Sequence, residues 1–279
     1  MAFRVRTMHR GGSRFYYSLD NPDTKYPGVT SIIGMLPKQQ FLAPWAARLT
    51  AELAVDSLDY IGAMAERDRQ GAIDFLKNAS RRYTQARSDV GSRAHDLFER
   101  ILRGERVGRV HPDLEPYQRH FNQFIEAVNP ELVRAEDVAW SDEYEYAGSF
   151  DAVLRVWLDE DGKPSPDRSG TPQLVMADWK TSARAYPEVA LQMTAYAHAD
   201  LIISPDGDAE PMPEFDGAFV LHITDTEWDF IPVYIGPEVF EYFLSLRAVF
   251  EWQRDLSRRV LGRSVAGSDR LVTGTERRA

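Results

Sequence analysis

Cysteine is missing from all 279 residues. That excludes disulfides, zinc ribbons, thiol catalysis and cysteine-held iron–sulfur clusters. It also leaves the redox compartment unreadable from thiol usage. Long apolar runs are missing too, and none approaches the ~20 residues that a membrane-spanning helix needs. The opening MAFRVRTMHRGG has no apolar stretch behind its basic residues. No secretory signal is therefore expected, and a soluble cytoplasmic protein without a membrane partner is. Positive charge is scarce: 33 Lys and Arg stand against 43 Asp and Glu, for a formal net charge of -10. Such a balance argues against passive adhesion to nucleic acid. It does not exclude an enzyme acting on nucleic acid, because clustered carboxylates hold metal ions and a local basic surface can guide a strand.

What remains is globular material. The length suits one sizeable domain, and no internal repeat is visible. Residues 1–30 read as irregular or strand-like, with RFYYSL as a short strand and NPDTKYPG as a turn. From about Thr30 to Glu126 the pattern is mainly helical. In GSRAHDLFERILRG the apolar residues Ala94, Leu97, Phe98 and Ile101 share a stripe. LEPYQRHFNQFIEAV makes another amphipathic helix, ended near Asn129-Pro130.

Beyond that point the period changes. LVRAEDVAWS and YAGSFDAVLRVWL read as strands, DEDGKPSPDRSGTP as a long polar hairpin loop, and TPQLVMADWKT as an apolar strand ending in charge. PEVALQMTAYAHADLII reads as a helix, FDGAFVLHIT and WDFIPVYI as strands, and PEVFEYFLSLRAVFEWQRDLSRRVL as a long helix. The fold class expected is α/β in the mixed, α+β sense: a central mixed sheet flanked by helices. Within one integrated domain, residues 1–130 form a mainly helical region, 131–260 the core, and 261–279 a polar tail expected to be disordered.

Asp178 and Lys180 carry the strongest chemical signal. Two residues apart on a strand, they point to one face, and they follow a buried-looking LVMA run. Burying an unpaired charge is expensive, so two charges there need a reason. An ion pair at a solvated strand end is the plain one. Asp23-Thr24-Lys25 and Asp161-Gly162-Lys163 repeat the triplet in turn-rich segments. Asp151 begins the strand ahead of the hairpin, which makes it a candidate neighbour of Asp178. Two adjacent carboxylates repel unless a proton or cation lies between them, and Mg²⁺ suits such a pair. The alternative is an ordinary turn aspartate after Gly148.

His95 falls beside the helical stripe, either as a partly buried histidine with a satisfied hydrogen bond or as a ligand that would favour Mn²⁺ alongside Mg²⁺. Gln192 and Tyr196 are four apart and share a helix face. They can support a site or contact a phosphate or base, or else Tyr196 belongs to the core.

In chain order stand GSRAH, GSFD, ADWK and QMTAY. This succession resembles the signature of RecB-like nucleases in the PD-(D/E)xK superfamily: G-x-x-x-H, G-x-x-D, D-x-K and Q-x-x-x-Y. It is most similar to the phage-encoded, CRISPR-associated-type exonucleases of that group. YPGVTSIIGMLPK followed by PWAA also looks like their N-terminal region. Each motif is weak alone; four in order, in the expected strand and helix contexts, are specific together.

The resemblance implies a restriction-endonuclease-like core and a metal-dependent DNA exonuclease. His95, Asp151, Asp178 and the Trp179 backbone carbonyl would hold Mg²⁺ or Mn²⁺. Lys180 would orient or activate the attacking water, with Asp151, Asp178 and Lys180 as the catalytic set. Gln192 and Tyr196 would support the site. Relatives often carry four cysteines around an iron–sulfur cluster; this chain has none.

Basic residues for guiding DNA would be Arg81, Arg82, Arg93, Arg100 and Arg103, with Arg184 after the Lys180 strand. Each has a solvated helix face or loop as its plainer role. Phage recombination, replication or repair is the setting implied, in the host cytoplasm and with recombination or replication proteins as further partners.

Two rivals stand. His95-Asp96 is an HD dipeptide, as in HD-type metal phosphohydrolases, with His111 and His120 as further histidines. Alternatively, the chain is a nuclease-fold protein that binds DNA ends or a recombination partner without cutting.

Overall fold

A computed structural model describes residues 3–263. All but the first three residues of the expected tail lie outside that range. The chain opens with an antiparallel meander of β1 (Val5–Arg10), β2 (Ser13–Ser18) and β3 (Asn21–Pro27). NPDTKYP, expected as a turn, is therefore mostly strand. It pairs with β2 along the edge of this small sheet, where its two prolines leave no central ladder unpaired.

Helices follow: α1 (Val29–Ile33), α2 (Gln39–Asp56), α3 (Leu58–Arg67), α4 (Arg69–Lys77), α5 (Ala79–Leu102) and α6 (Glu115–Val128). The helical stretch expected from Thr30 to Glu126 is thus present. α6 stops where Asn129 turns left-handed, with φ 47°, ahead of Pro130.

The second half runs β4 (Glu131–Ala135), β5 (Val138–Ser141), β6 (Tyr146–Ser149), β7 (Ala152–Leu158), β8 (Thr171–Lys180) and α7 (Glu188–Ala197). It ends with β9 (Leu201–Ile203), β10 (Ala209–Pro211), β11 (Gly217–Ile223), β12 (Trp228–Val233) and α8 (Pro237–Arg254). The central sheet is five-stranded and mixed, in the order β12-β11-β8-β7-β4. β8 and β11 are parallel and the other pairs antiparallel. A second sheet, β10-β9-β5-β6, is antiparallel throughout.

Three further sequence expectations need correcting. LVRAEDVAWS and YAGSFDAVLRVWL are not single strands. Each breaks in the middle, so that β4 and β7 join the central sheet while β5 and β6 join the second. The two breaks face each other: Glu136 N donates to Asp151 O and Phe150 N donates to Asp137 O. A ribbon thus bends sharply while keeping its backbone hydrogen bonds, with Glu136 left-handed at φ 59°. Leu201-Ile202-Ile203 is likewise strand rather than the end of α7. It pairs with β5, which satisfies backbone groups that a frayed helix end would leave open.

Alternation along β7 and β8 divides the core in two. Leu154, Val175, Ala177 and Trp179 face α5 and α6, against Phe98 and Phe121. Val153 and Met176 face the opposite way, into a core built by α1, α7 and α8. The central sheet is therefore covered by helices on both faces. Among the described residues, no helix is long and apolar enough to cross a membrane.

Candidate active site

Alternation also aims the charged end of β8. Trp179 is buried in the α5–α6 core, edge-on to Phe121 at 5.8 Å. A one-residue slip would expel this ring, so it locks the register. Its neighbours Asp178 and Lys180 consequently point to the α7 side. Lys180 Nζ lies 2.5 Å from Asp178 Oδ2. From α7, Gln192 Nε2 donates to Asp178 Oδ1 at 2.9 Å, while Gln192 Oε1 accepts from Lys180 Nζ at 3.2 Å. Gln192 Nε2 also reaches the Tyr196 hydroxyl at 3.2 Å. The expected shared face of Gln192 and Tyr196 is thus directed at Asp178 and Lys180.

Asp151 reaches the same strand end from the bend before β7. Its Oδ2 accepts from the Trp179 amide at 2.6 Å, and its Oδ1 is 3.3 Å from His95 Nδ1 on α5. The Trp179 N–H therefore holds Asp151 at the strand end. His95, Asp151, Asp178, Lys180, Gln192 and Tyr196 form two linked sets, His95–Asp151 and Asp178–Lys180–Gln192–Tyr196, joined through the backbone of Trp179.

Two motif glycines have a steric reason. A Cβ on Gly148 would stand 2.6 Å from the Tyr196 ring and 3.1 Å from Val29. One on Gly91 would stand 2.9 Å from the Thr181 hydroxyl, just past β8. Gly148 lets the Tyr196 ring close over the bend, and Gly91 lets α5 bring His95 up to the strand end. Tyr16 on β2 adds a further support: its hydroxyl accepts from Ser149 N at 3.1 Å.

The electrostatics separate the two aspartates. Asp178 is 2% exposed. Burial pushes its carboxyl up to about 6, against the pull of Lys180 and with the added repulsion of Asp151. Burial would raise Asp151 as well. The hydrogen bond and charge of His95, then Lys180 and the Trp179 amide, outweigh it and hold Asp151 below the usual carboxylate range. His95 moves the opposite way: burial lowers it, and the Asp151 hydrogen bond and charge more than compensate. Asp178 Oδ2 is buried without a hydrogen bond of proper geometry, Lys180 notwithstanding. Such an oxygen, beside a second carboxylate and an imidazole, is the donor set that a hard divalent ion takes. Among the described residues, no three carboxylate or imidazole groups already stand around one common point at coordinating distance.

His95 and Asp151 open onto a cleft of about 1160 Å³. One face of α5 forms its wall, with Thr84, Arg87, Ser88, Gly91, Ser92 and His95 at helical spacing. Trp45 of α2, the loop after β8 and the β11–β12 turn complete it. Asp178, Lys180, Gln192 and Tyr196 do not line the cleft; they sit behind Asp151.

The arginines chosen from sequence lie elsewhere. Arg93 is exposed and outside the lining. Arg184 is outside it too, stacked on Tyr186 at 4.8 Å. Arg82 covers Phe75 at 4.3 Å, while Arg100 and Arg103 pair with Glu105 and Glu99. Arg14 and Arg87 are the arginines of the cleft, both missed because their placement depends on which face of β2 and α5 turns inward. Glu136 was missed as well. It stands at the cleft rim, lifted to about 7 by partial desolvation and by the charges of Asp151 and Glu99. The adjacent acids Glu136-Asp137, between two strand-like runs, were the available signal.

The further histidines are engaged apart from His95. His120 Nδ1 is 3.0 Å from the Thr224 carbonyl, and His111 pairs with Asp113. Of the stray D-x-K triplets, Asp23–Lys25 lies on exposed β3 and Asp161–Lys163 in the hairpin loop. No protein-family model matches the chain, and no curated protein matches it.

Proposed function

We propose that this protein is a metal-dependent deoxyribonuclease of the PD-(D/E)xK, RecB-like kind, hydrolysing DNA phosphodiester bonds as an exonuclease. The observation carrying the reading is the meeting at one strand end of a buried carboxylate, Asp178, and a partly buried one, Asp151, with Lys180 on the first and His95 on the second. Nothing in a plain α/β core calls for this arrangement, because each buried charge costs desolvation energy that only a partner or ligand offsets.

In the reaction, a water oxygen bonds to phosphorus while the bond to the leaving sugar oxygen breaks. Asp151, Asp178 and His95 are the residues that would hold Mg²⁺ or Mn²⁺. The ion, when bound, supplies positive charge to the phosphate and acidity to the attacking water. Lys180 places a fixed ammonium beside Asp178, where it orients the water and offsets negative charge developing on the phosphate. Gln192 holds the Lys180 and Asp178 side chains in one geometry, and Tyr196 fixes Gln192 in turn. The cytoplasm of a phage-infected host, in recombination, replication or repair, is the setting that goes with this reading.

One observation favours a second reading, a protein that binds DNA ends or a recombination partner without cutting. The side chains expected to ligate already have protein partners, Asp151 with His95 and the Trp179 amide, Asp178 with Lys180 and Gln192. Incubation with end-labelled linear and closed circular DNA, in Mg²⁺, Mn²⁺ or EDTA, separates the two. Metal-dependent loss of linear DNA that spares circles and is abolished by Asp178→Ala supports the exonuclease. Wild type and variant that are equally inert yet both bind DNA would turn the assignment to binding. The HD-type alternative gains nothing from His111 or His120, given their other partners.

A further inference from the structure

The cleft offers a strand little positive charge. Its lining contributes Arg14 and Arg87 against Asp96, Glu136, Asp151, Asp225 and Glu227. A duplex held by its phosphates needs many Lys or Arg contacts. What the cleft has instead is aromatic surface. Tyr83 is 44% exposed and Tyr186 41%. Trp45 is half-buried, edge-on to Tyr83 at 6.0 Å. Tyr83 stands at the far end of the α5 face that ends in His95, roughly 18 Å away along the helix. Between them the same face presents Arg87, Ser88 and Ser92. Arg87 borders Tyr83, its guanidinium 5.8 Å from the Tyr83 ring centre.

We propose that Trp45 and Tyr83 form a base-stacking platform that admits an unpaired strand and feeds it along α5 to His95 and Asp151. Recognition is through the faces of the bases, with Arg87 and the hydroxyls of Ser88 and Ser92 bonding the sugar–phosphate chain. Every base has a stacking face, so the platform is indifferent to sequence. Paired bases hide those faces, so a duplex must open at its end before the platform holds it. Trp45 and Tyr83 are positioning residues and take no part in the chemistry. The inference rests on the nuclease reading for the identity of the ligand, but its test does not depend on cutting.

Fluorescence anisotropy of the full chain carrying Asp178→Asn, in Mg²⁺, provides that test. The probes are a labelled oligodeoxythymidylate, an abasic strand of equal length, and a blunt duplex. The oligothymidylate is expected to bind about 10-fold or more tighter than the abasic strand. Trp45→Ala and Tyr83→Ala should each remove most of that preference, and Trp45→Phe should retain it. Unchanged circular dichroism and melting temperature exclude misfolding as the cause. With Arg14 and Arg87 the only arginines lining the cleft among the described residues, log K against log salt should fall with a slope no steeper than about -1.4.

Equal binding of the abasic strand, or a preference that survives both alanine variants, would overturn the platform. Cleavage by the wild-type protein is scored in parallel. Cutting without a base preference leaves the nuclease reading standing and removes the platform. A base preference without cutting does the reverse.

Discussion

On the α7 side of β8, Asp178 is 2% exposed, and Lys180, Gln192 and Tyr196 bond in a chain that leads to it. On the α2–α4 arm, Phe41, Leu58 and Tyr60 are 70, 66 and 58% exposed, and α3 buries no residue at all. The same chain thus builds one region whose site side chains bond to one another and one whose large apolar side chains stand exposed. The first suits chemistry that needs charges fixed in advance. The second suits contact with a ligand that varies in sequence and shape, where adaptable surface is tolerable. Mutations in the two regions should therefore fail differently, the first in rate and the second in binding.

The largest expected effect is on rate. Asp178→Ala should reduce DNA cleavage on the order of 10³-fold while the protein stays folded, measured by single-turnover kinetics and circular dichroism. An equal loss from the exposed-arm change Leu58→Ser would break the comparison. Gln192→Leu comes next. It removes a bond to Asp178 and one to Lys180 without touching substrate, and should lower activity or metal affinity about 10- to 100-fold. Gly148→Ala should destabilise the fold by about 1–3 kcal/mol, because its methyl group would push into the Tyr196 ring and Val29. Chemical denaturation checks this, and activity should fall with it as Tyr196 shifts. At the small end, Leu58→Ser should change stability by no more than about 0.5 kcal/mol.

The pH dependence sharpens the same contrast. The Asp178 carboxyl is raised from 3.8 to about 6 on folding. Between those values the unfolded chain releases this proton and the folded protein keeps it. Its contribution to stability is therefore full below about 3.8, declines as pH rises, and is lost above about 6. Relative to wild type, Asp178→Asn should gain melting temperature in metal-free buffer as pH is raised from 4 to 7. A constant difference across that range would mean that Asp178 ionises as an ordinary aspartate.

Much of this was legible in the sequence, for identifiable reasons. The spacing Asp178-x-Lys180 on an apolar strand fixes a shared face whatever the tertiary structure, and Gln192 with Tyr196 does the same on a helix. Both pairs occur as expected. The mixed sheet and its helical cover follow from long, strongly periodic segments. The split of LVRAEDVAWS and YAGSFDAVLRVWL between two sheets was hidden, because a bend that keeps its hydrogen bonds leaves the alternation on either side intact. Glu136 was lost with it. The cleft arginines were hidden for another reason. Charge on an amphipathic helix marks its wet face, but only packing decides which part of that face borders a cleft, and so Arg87 lines it while Arg93 does not.

The proposed chemistry requires that Asp151 and Asp178, with His95, bind a divalent ion at the end of β8. Isothermal titration of Mn²⁺ into the wild-type protein and into Asp178→Asn at pH 7.5 tests it without reference to any substrate. Wild type should bind saturably, and the variant about 10- to 100-fold more weakly or not at all. Equal Mn²⁺ affinity in the two proteins, or none in either, would contradict it.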